Sequence, residues 1–444
     1  MSTVELTSSA LPQSRAKPTR RAVVGWVLYD LANTIFSMTI ISLYFSLWVR
    51  DQVGADRADT VYGITAAISY AIIFVLSPLL GAWTDQAPKR MPFLVASTLV
   101  CVAFTALLGQ GGFYISLGLF IVANIAYQAG TQFYDALLPD VSTEENRGTI
   151  GGYGVGIGYL GSYIGVGVGL LFFNKIGYTG VFQAAAALFL IFALPCFFFV
   201  RENINPRARR FSLDSVPQAF QQVKSTLLHV QRYPGVARFL IGRIFYTDPI
   251  NTVITIMGLY VTNLAVSRGL SAEAGQVRAQ YILLGAITFA VLGGLLWGRV
   301  VDRIGPKRAL DIILITWIVV FILISLMGFL GLPLVVFYFI SAIAGFALGG
   351  TWAADRPYMQ RISPPAKLGE FYGLYGMVGR FSAITGPLIW AVSLFVTGRI
   401  GLSPEVGQAI AVLLLMLLIV ASYIILRPVS DARREWTGDD ALEE

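Results

Sequence analysis

The chain has 444 residues, 56% of them hydrophobic and 13% charged. A soluble domain carries about a quarter charged residues, and here apolar runs of about 20 residues recur along the whole length. Composition therefore excludes a soluble globular protein and points to a chain that crosses the lipid bilayer many times.

Run length and helical periodicity predict an all-α membrane protein of about twelve spans. They lie near 23–49, 60–83, 92–111, 113–137, 150–173, 181–200, 236–264, 279–298, 309–329, 333–353, 370–396 and 406–426. The first run, from Ala22 to Val49, reads AVVGWVLYDLANTIFSMTIISLYFSLWV, and its only charge is Asp30. It is too long for a signal-peptide core and no small-residue cleavage site ends it, so it is read as a retained span. Cys101 and Cys196 both fall inside apolar runs, as packing residues do rather than a disulfide or metal pair. The fourth and tenth spans end around Asp135 and Asp355, where polar residues begin. The fifth contains Gly156-Ile-Gly158-Tyr-Leu-Gly161, which fits a dinucleotide-binding pattern. No strand precedes it, and Gly152, Gly156, Gly161, Gly165 and Gly169 give the small-residue spacing of close helix packing.

A long polar connector separates the sixth and seventh spans. Val216, Phe220, Val223, Leu227 and Val230 recur there every three or four residues, as in an amphipathic helix on the membrane surface or in a soluble linker helix. The single histidine, His229, lies in this connector, so a histidine metal site or catalytic triad lacks its parts. No metal or cofactor is expected, and no enzymatic activity.

Basic residues alternate from one side to the other. One set of loops and tails holds Arg15, Lys17, Arg20, Arg21, Lys89, Arg90, Arg147, the basic residues of the connector, Arg299, Arg303, Lys307, Arg308, Arg361, Lys367, Arg427, Arg433 and Arg434. The other set holds only Arg50, Arg57, Lys175, Arg268, Arg278 and Arg399. The positive-inside rule then places both termini in the cytoplasm. It also accounts for the net charge of +7, which is no argument for nucleic acid. The expected organisation is a tail over 1–21, a six-helix bundle over 22–200, a connector over 201–235, a second bundle over 236–427 and a tail over 428–444.

The two bundles repeat one another. Asp30 and Asp248 are separated by the same number of residues as Asn33 and Asn251, and Gly81 and Gly298, or Asp135 and Asp355, by nearly that number. Such repeats are a mark of secondary transporters. Asp30, Asn33, Thr34, Ser37 and Tyr44 share one helix face, and Asp248, Asn251, Thr252, Thr255 and Thr262 share the matching one. A carboxylate at mid-membrane costs roughly 2.5–3.5 kcal/mol on insertion scales. Two matched ones argue for use, with Asp30, Asn33, Asp248 and Asn251 facing a central cavity; the alternative is a stripe that only joins helices. Arg243 and Arg380 lie at similar depth and each needs an anion, either Asp30 or Asp248 or a carboxylate or phosphate on a solute.

"GAWTDQAPKR" after the second span and "GRVVDRIGPKR" after the eighth both place an aspartate four residues after a glycine, then a basic pair. They resemble the signature loop of the major facilitator superfamily, whose glycine permits close helix approach and whose aspartate closes a cytoplasmic gate. In the first copy Gln86 and Pro88 depart from that pattern. The expected gate is Gly81, Asp85, Arg90, Asp140, Glu144, Arg147, Gly298, Asp302, Arg303, Arg308 and Glu370.

"YDLANT", "FYDALLPDVSTEENRGTIGGYGVGIGYLG", "FYTDPINTV" and "FYGLYGMVGRFSAITGP" resemble the vacuolar effluxer-like, autophagy-related permeases within that superfamily and their bacterial relatives. The likeness rests on Tyr29, Asp30, Asn33, Tyr134, Pro139, Asp140, Arg147, Gly148, Tyr246, Asp248, Gly373, Tyr375 and Gly386; Pro249 and Asp355 depart from it. It implies twelve helices in two pseudo-symmetric bundles, alternating access and export of small solutes, with amino acids proposed for vacuolar members. A more distant likeness is to sugar–cation symporters of the glycoside–pentoside–hexuronide type, and a non-transporting receptor or scaffold is the remaining alternative. The expected solute and ion site is Tyr29, Asp30, Asn33, Thr34, Ser37, Tyr134, Asp135, Arg243, Tyr246, Asp248, Asn251, Thr252 and Arg380, serving a small solute and a proton or sodium ion. A monomer in a bacterial inner membrane is expected.

Overall fold

Long apolar runs become long helices because each backbone polar group must find its partner within its own segment. The computed structural model describes residues 18–202, 216–228, 232–233, 235–381, 385–430, 432 and 436; His229, Val230 and most of both expected tails lie outside them. Helix α1 (Arg20–Phe36) starts at Thr19, whose hydroxyl accepts from Ala22 N. It continues through a π-helical stretch, Ser37–Tyr44, into α2 (Phe45–Val53). Then come α3 (Ala55–Gln86), α4 (Met91–Ala106), α5 (Phe113–Ala136), the single turn α6 (Leu138–Val141) and α7 (Arg147–Phe199). The connector contributes α8 (Val216–Leu228). The second half holds α9 (Val236–Ser267), α10 (Ala272–Ile304), α11 (Pro306–Leu330), α12 (Val336–Ile362), α13 (Leu368–Phe381), α14 (Thr385–Arg399) and α15 (Pro404–Leu426).

Among the described residues ten helical stretches are long and apolar enough to span a membrane, and Met91–Ala106 is a shorter apolar helix. The 53-residue α7 is two helices joined at Gly177, whose φ of 61° no L-residue adopts readily. Counting the short helix and both parts of α7 gives twelve apolar helices among the described residues.

Boundaries differ from the sequence reading in two informative places. The third span stops at Ala106 rather than near 111, because Gly109 and Gly112 take left-handed conformations. The tenth runs on to Ile362 rather than ending near 353, so Asp355 and Arg356 lie inside a helix and not at the start of a loop.

Each half has its own hydrophobic core. In the first, Phe45 stacks on Phe120 at 4.2 Å and Trp26 on Tyr134 at 4.5 Å. In the second, Trp317, Phe321, Tyr260 and Phe337 are buried together. Outward-pointing Leu170, Leu171, Phe198, Leu388, Phe395 and Ile424 are exposed, as lipid-facing residues are. The halves meet chiefly where α7 packs on α10 and α3 on α13, with α7 also touching α12 and α5 touching α13. The glycines of α7 divide between two faces. Gly154, Gly158, Gly161 and Gly165 lie against α1, and Gly148, Gly152 and Gly156 against α10. A Cβ on Gly152 would stand 2.3 Å from the carbonyl oxygen of Gly294, so backbone touches backbone there.

Candidate functional site

The end of the bundle that carries the basic loops is sealed by two equivalent contacts. Asp85, at the foot of α3, accepts from Gly369 N at 2.7 Å and from Glu370 N at 2.8 Å. Asp302, at the foot of α10, accepts from Gly148 N at 2.6 Å and from Thr149 N at 2.8 Å. Each carboxylate thus binds the first free amides of a helix in the opposite half, where the helix dipole favours negative charge. Gly81 and Gly298 permit this: a Cβ on Gly81 would stand 2.1 Å from Gly369 O, and one on Gly298 2.6 Å from Gly148 O.

The neighbours of these caps are not equivalent. Arg90 bonds Asp85 at 2.7 Å. Arg303 and Arg308 are exposed and form no ion pair among the described residues; Lys307 instead pairs with Asp311 one turn on. Asp140 lies in the electrostatic surroundings of Arg90 and Glu202, and Arg147, which begins α7, in those of Tyr372. Glu370 is fully buried and accepts from Gln222 of α8 at 2.7 Å. Gln86 at the end of α3 donates to the same Gln222 at 3.3 Å, and Val223 packs with Ala82. The connector helix therefore touches both halves at the seal.

A second cluster lies deeper. Arg356 of α12 stands 3.1 Å from Asp30 Oδ2 and 3.1 Å from Asp135 Oδ1, both carried by the first half. Arg243 of α9 pairs with Asp355 at 3.0 Å and lies 3.6 Å from the Tyr375 ring centroid. Tyr246 and Tyr375 donate to the two oxygens of Asp355 at 2.6 and 2.8 Å. Tyr134 is sandwiched between Trp26 and Tyr29, with the Arg356 guanidinium 5.7 Å from its ring centroid.

Asp30, Asp135, Tyr134, Arg243 and Tyr246 thus come together around Arg356 and Asp355. Arg243 takes neither Asp30 nor Asp248 as its partner; the nearer carboxylate is Asp355. Asp30, Asn33 and Asp248 are all buried in this conformation. Asp248 is turned onto the end of α14, accepting from Gly386 N at 2.9 Å. The Asn33 amide has no hydrogen-bond partner among the described residues, and Asn251 is half-buried. Tyr29 bonds Thr98 inside the first half. The hydroxyls of Thr34, Ser37 and Thr252 each donate to a backbone carbonyl one turn earlier. A largely apolar cavity of about 510 Å³ lies among α9–α12 of the second half. Thr255 and Thr262 line it with Gln276 and Gln280, so the polar stripe of the seventh span leads there.

Arg380 differs from the other two arginines. It donates to Ser77 Oγ at 2.9 Å and to Gln128 O at 3.3 Å, both in the first half, and meets no carboxylate among the described residues.

Two helical halves, sealed at one end and joined further in by buried charge, define a polytopic membrane protein of the transporter type. The Major Facilitator Superfamily profile matches residues 31–387 and 250–440, and the chain belongs to that family. An MFS-type transporter of Bacillus subtilis, YxiO, is 26% identical over 418 residues, covering 90% of this chain and 93% of its own. Autophagy-related protein 22 of Eremothecium gossypii is 22% identical over 439 residues, covering 84% of this chain and 85% of its own. In fold, the proton:xylose symporter XylE superposes with a TM-score of 0.66 at 14% identity, covering 92% of this chain and 94% of that one.

Proposed function

We propose that this chain is a secondary active transporter that moves a small polar solute by alternating access, coupled to a proton or a sodium ion. One observation carries the reading: Arg356, in the second half, holds Asp30 and Asp135, in the first. Any rocking of one half against the other stretches those two ion pairs. A guanidinium keeps its charge throughout, so the change must fall on the carboxylates. A proton or a sodium ion taken up by Asp30 or Asp135 frees Arg356 and lets the halves part. The rocking units are 22–200 and 236–427, joined through 201–235.

The sealed end carries the basic loops, which the positive-inside rule assigns to the cytoplasm. This conformation is then closed inward and faces outward, and both termini are cytoplasmic. A bacterial inner membrane and a monomeric carrier fit the compact loops and the pairing of both halves within one chain. Amino acids are the first solutes to test, because the autophagy-related relatives resemble the chain over both halves.

The experiment is counterflow in proteoliposomes with labelled amino acids, sugars and organic anions, under imposed pH or sodium gradients. Asp30→Asn and Asp135→Asn should uncouple transport from the gradient. Transport in both variants with the parent's pH and sodium profiles ends the coupling assignment, and an absence of counterflow with every solute ends the transport reading.

A further inference from the structure

We propose that Arg380 receives the anionic group, a carboxylate, of the transported solute; this rests on the transport reading above and adds the solute's charge to it. Arg243 is matched by Asp355 and Arg356 by Asp30 and Asp135. Arg380 is met only by neutral oxygens, those of Ser77 and Gln128, and its Nε is buried with no acceptor among the described residues. Neutral acceptors orient a guanidinium without balancing its charge, and a buried charge lacking a counter-ion is costly. Arg243 is a further positive neighbour, so the potential around Arg380 favours an anion.

The surroundings are built to take one. Arg380 is not closed off: it is half-buried, as are Tyr70 of α3 and Tyr127 and Gln128 of α5, which belong to the first half. Tyr70 and Tyr127 lie in its electrostatic surroundings. On its own helix Gly376 keeps the surface bare; a Cβ there would stand 3.2 Å from Arg380 Nη1. A planar guanidinium with hydroxyls beside it suits a carboxylate, which accepts two parallel N–H bonds and one or two O–H bonds. Because Arg380 belongs to one half and its neighbours to the other, a bound anion would touch both rocking units. The class of solute is a small organic acid or a zwitterion.

The test uses the full chain in lipid nanodiscs and two matched probe pairs, benzoate with benzyl alcohol and L-phenylalanine with L-phenylalaninol, read by thermal shift. The carboxylates should stabilise the parent and the alcohols should not. Arg380→Gln should lose the shift, with affinity falling about 10- to 100-fold, and Arg380→Lys should keep part of it. Without any probe, Arg380→Gln should melt at or above the parent temperature, since it removes an unmatched charge. The inference is overturned if alcohols act as well as carboxylates, if no carboxylate acts, if the shift survives in Arg380→Gln, or if that variant is strongly destabilised without ligand. A carboxylate shift lost in Arg380→Gln, in a protein without counterflow, upholds the site and removes the transport reading. Counterflow of a neutral sugar unaffected by Arg380→Gln upholds transport and removes the site.

Discussion

Asp85 and Asp302 hold equivalent places in the two halves, and each binds the opening amides of a helix belonging to the other. The seal is thus a reciprocal exchange of one carboxylate for one helix end. Loss of the charge at Asp302 costs the sealed state about 1–2 kcal/mol, roughly a 5- to 30-fold change in the ratio of open to sealed forms. In Asp302→Asn, cysteines placed near Arg147 should label faster with a membrane-impermeant reagent. Equal labelling of variant and parent would remove the gate role.

Arg356 is the keystone of the buried charges. Its loss in Arg356→Gln leaves Asp30 and Asp135 without a counter-ion, which costs about 3–5 kcal/mol. A large fall in melting temperature is expected. The double change Arg356→Gln with Asp30→Asn should recover part of it, and a double variant no more stable than the single would show that the ion pair is not the cause.

At Gly152 the α7–α10 contact has no room for a side chain. Gly152→Val should hold the halves apart, costing the sealed state about 1–3 kcal/mol as overpacking does. Spin labels on α7 and α10 should report a longer mean distance; an unchanged distance distribution would contradict the close approach.

The connector helix α8 bridges the seal through Gln222. Gln222→Ala should weaken closure less than the loss of Asp302 does, since neutral hydrogen bonds are worth about 0.5–1.5 kcal/mol each. The same labelling assay ranks the two, and a larger effect in Gln222→Ala would reverse this assignment.

Glu202 lies just beyond α7 and caps α4, accepting from Arg90 N at 2.7 and 2.6 Å and from Met91 N at 2.9 Å. Burial raises its pKa, against the opposing pull of Arg90 and the two amides. A carboxyl raised by folding contributes stability that is present in full below its unfolded pKa and lost as pH rises through the folded one. Relative to Glu202→Gln, the parent should lose melting temperature as pH climbs past the usual glutamate range. Parallel melting curves of the two proteins would refute this.

Much of this architecture is legible in one dimension. The spans follow from apolar run length, and the halves follow from the spacing of Asp30 with Asp248 and of Gly81 with Gly298. The signature aspartates announce the seal, though not that their partners are backbone amides across the interface. Arg356 escapes notice because the hydropathy of the tenth span fades before Asp355 while its helix persists to Ile362. Its partner Asp30 lies 326 residues away, a pairing no local pattern encodes. The repeat also misleads at Asp248. It predicts a face like that of Asp30, but the fold supplies Gly386 N to one and Arg356 to the other.

Where α7 meets α10 at Gly152, Gly294 and Gly298, main chain lies directly on main chain. Interlocked side chains would have to jump from one notch to the next as the halves turned. The glycine track has no such notches, so one half can roll on the other there with little friction from packing. The resistance to turning is then concentrated in a handful of charged catches at the ends and middle of the track, which is where a solute or an ion can act on it.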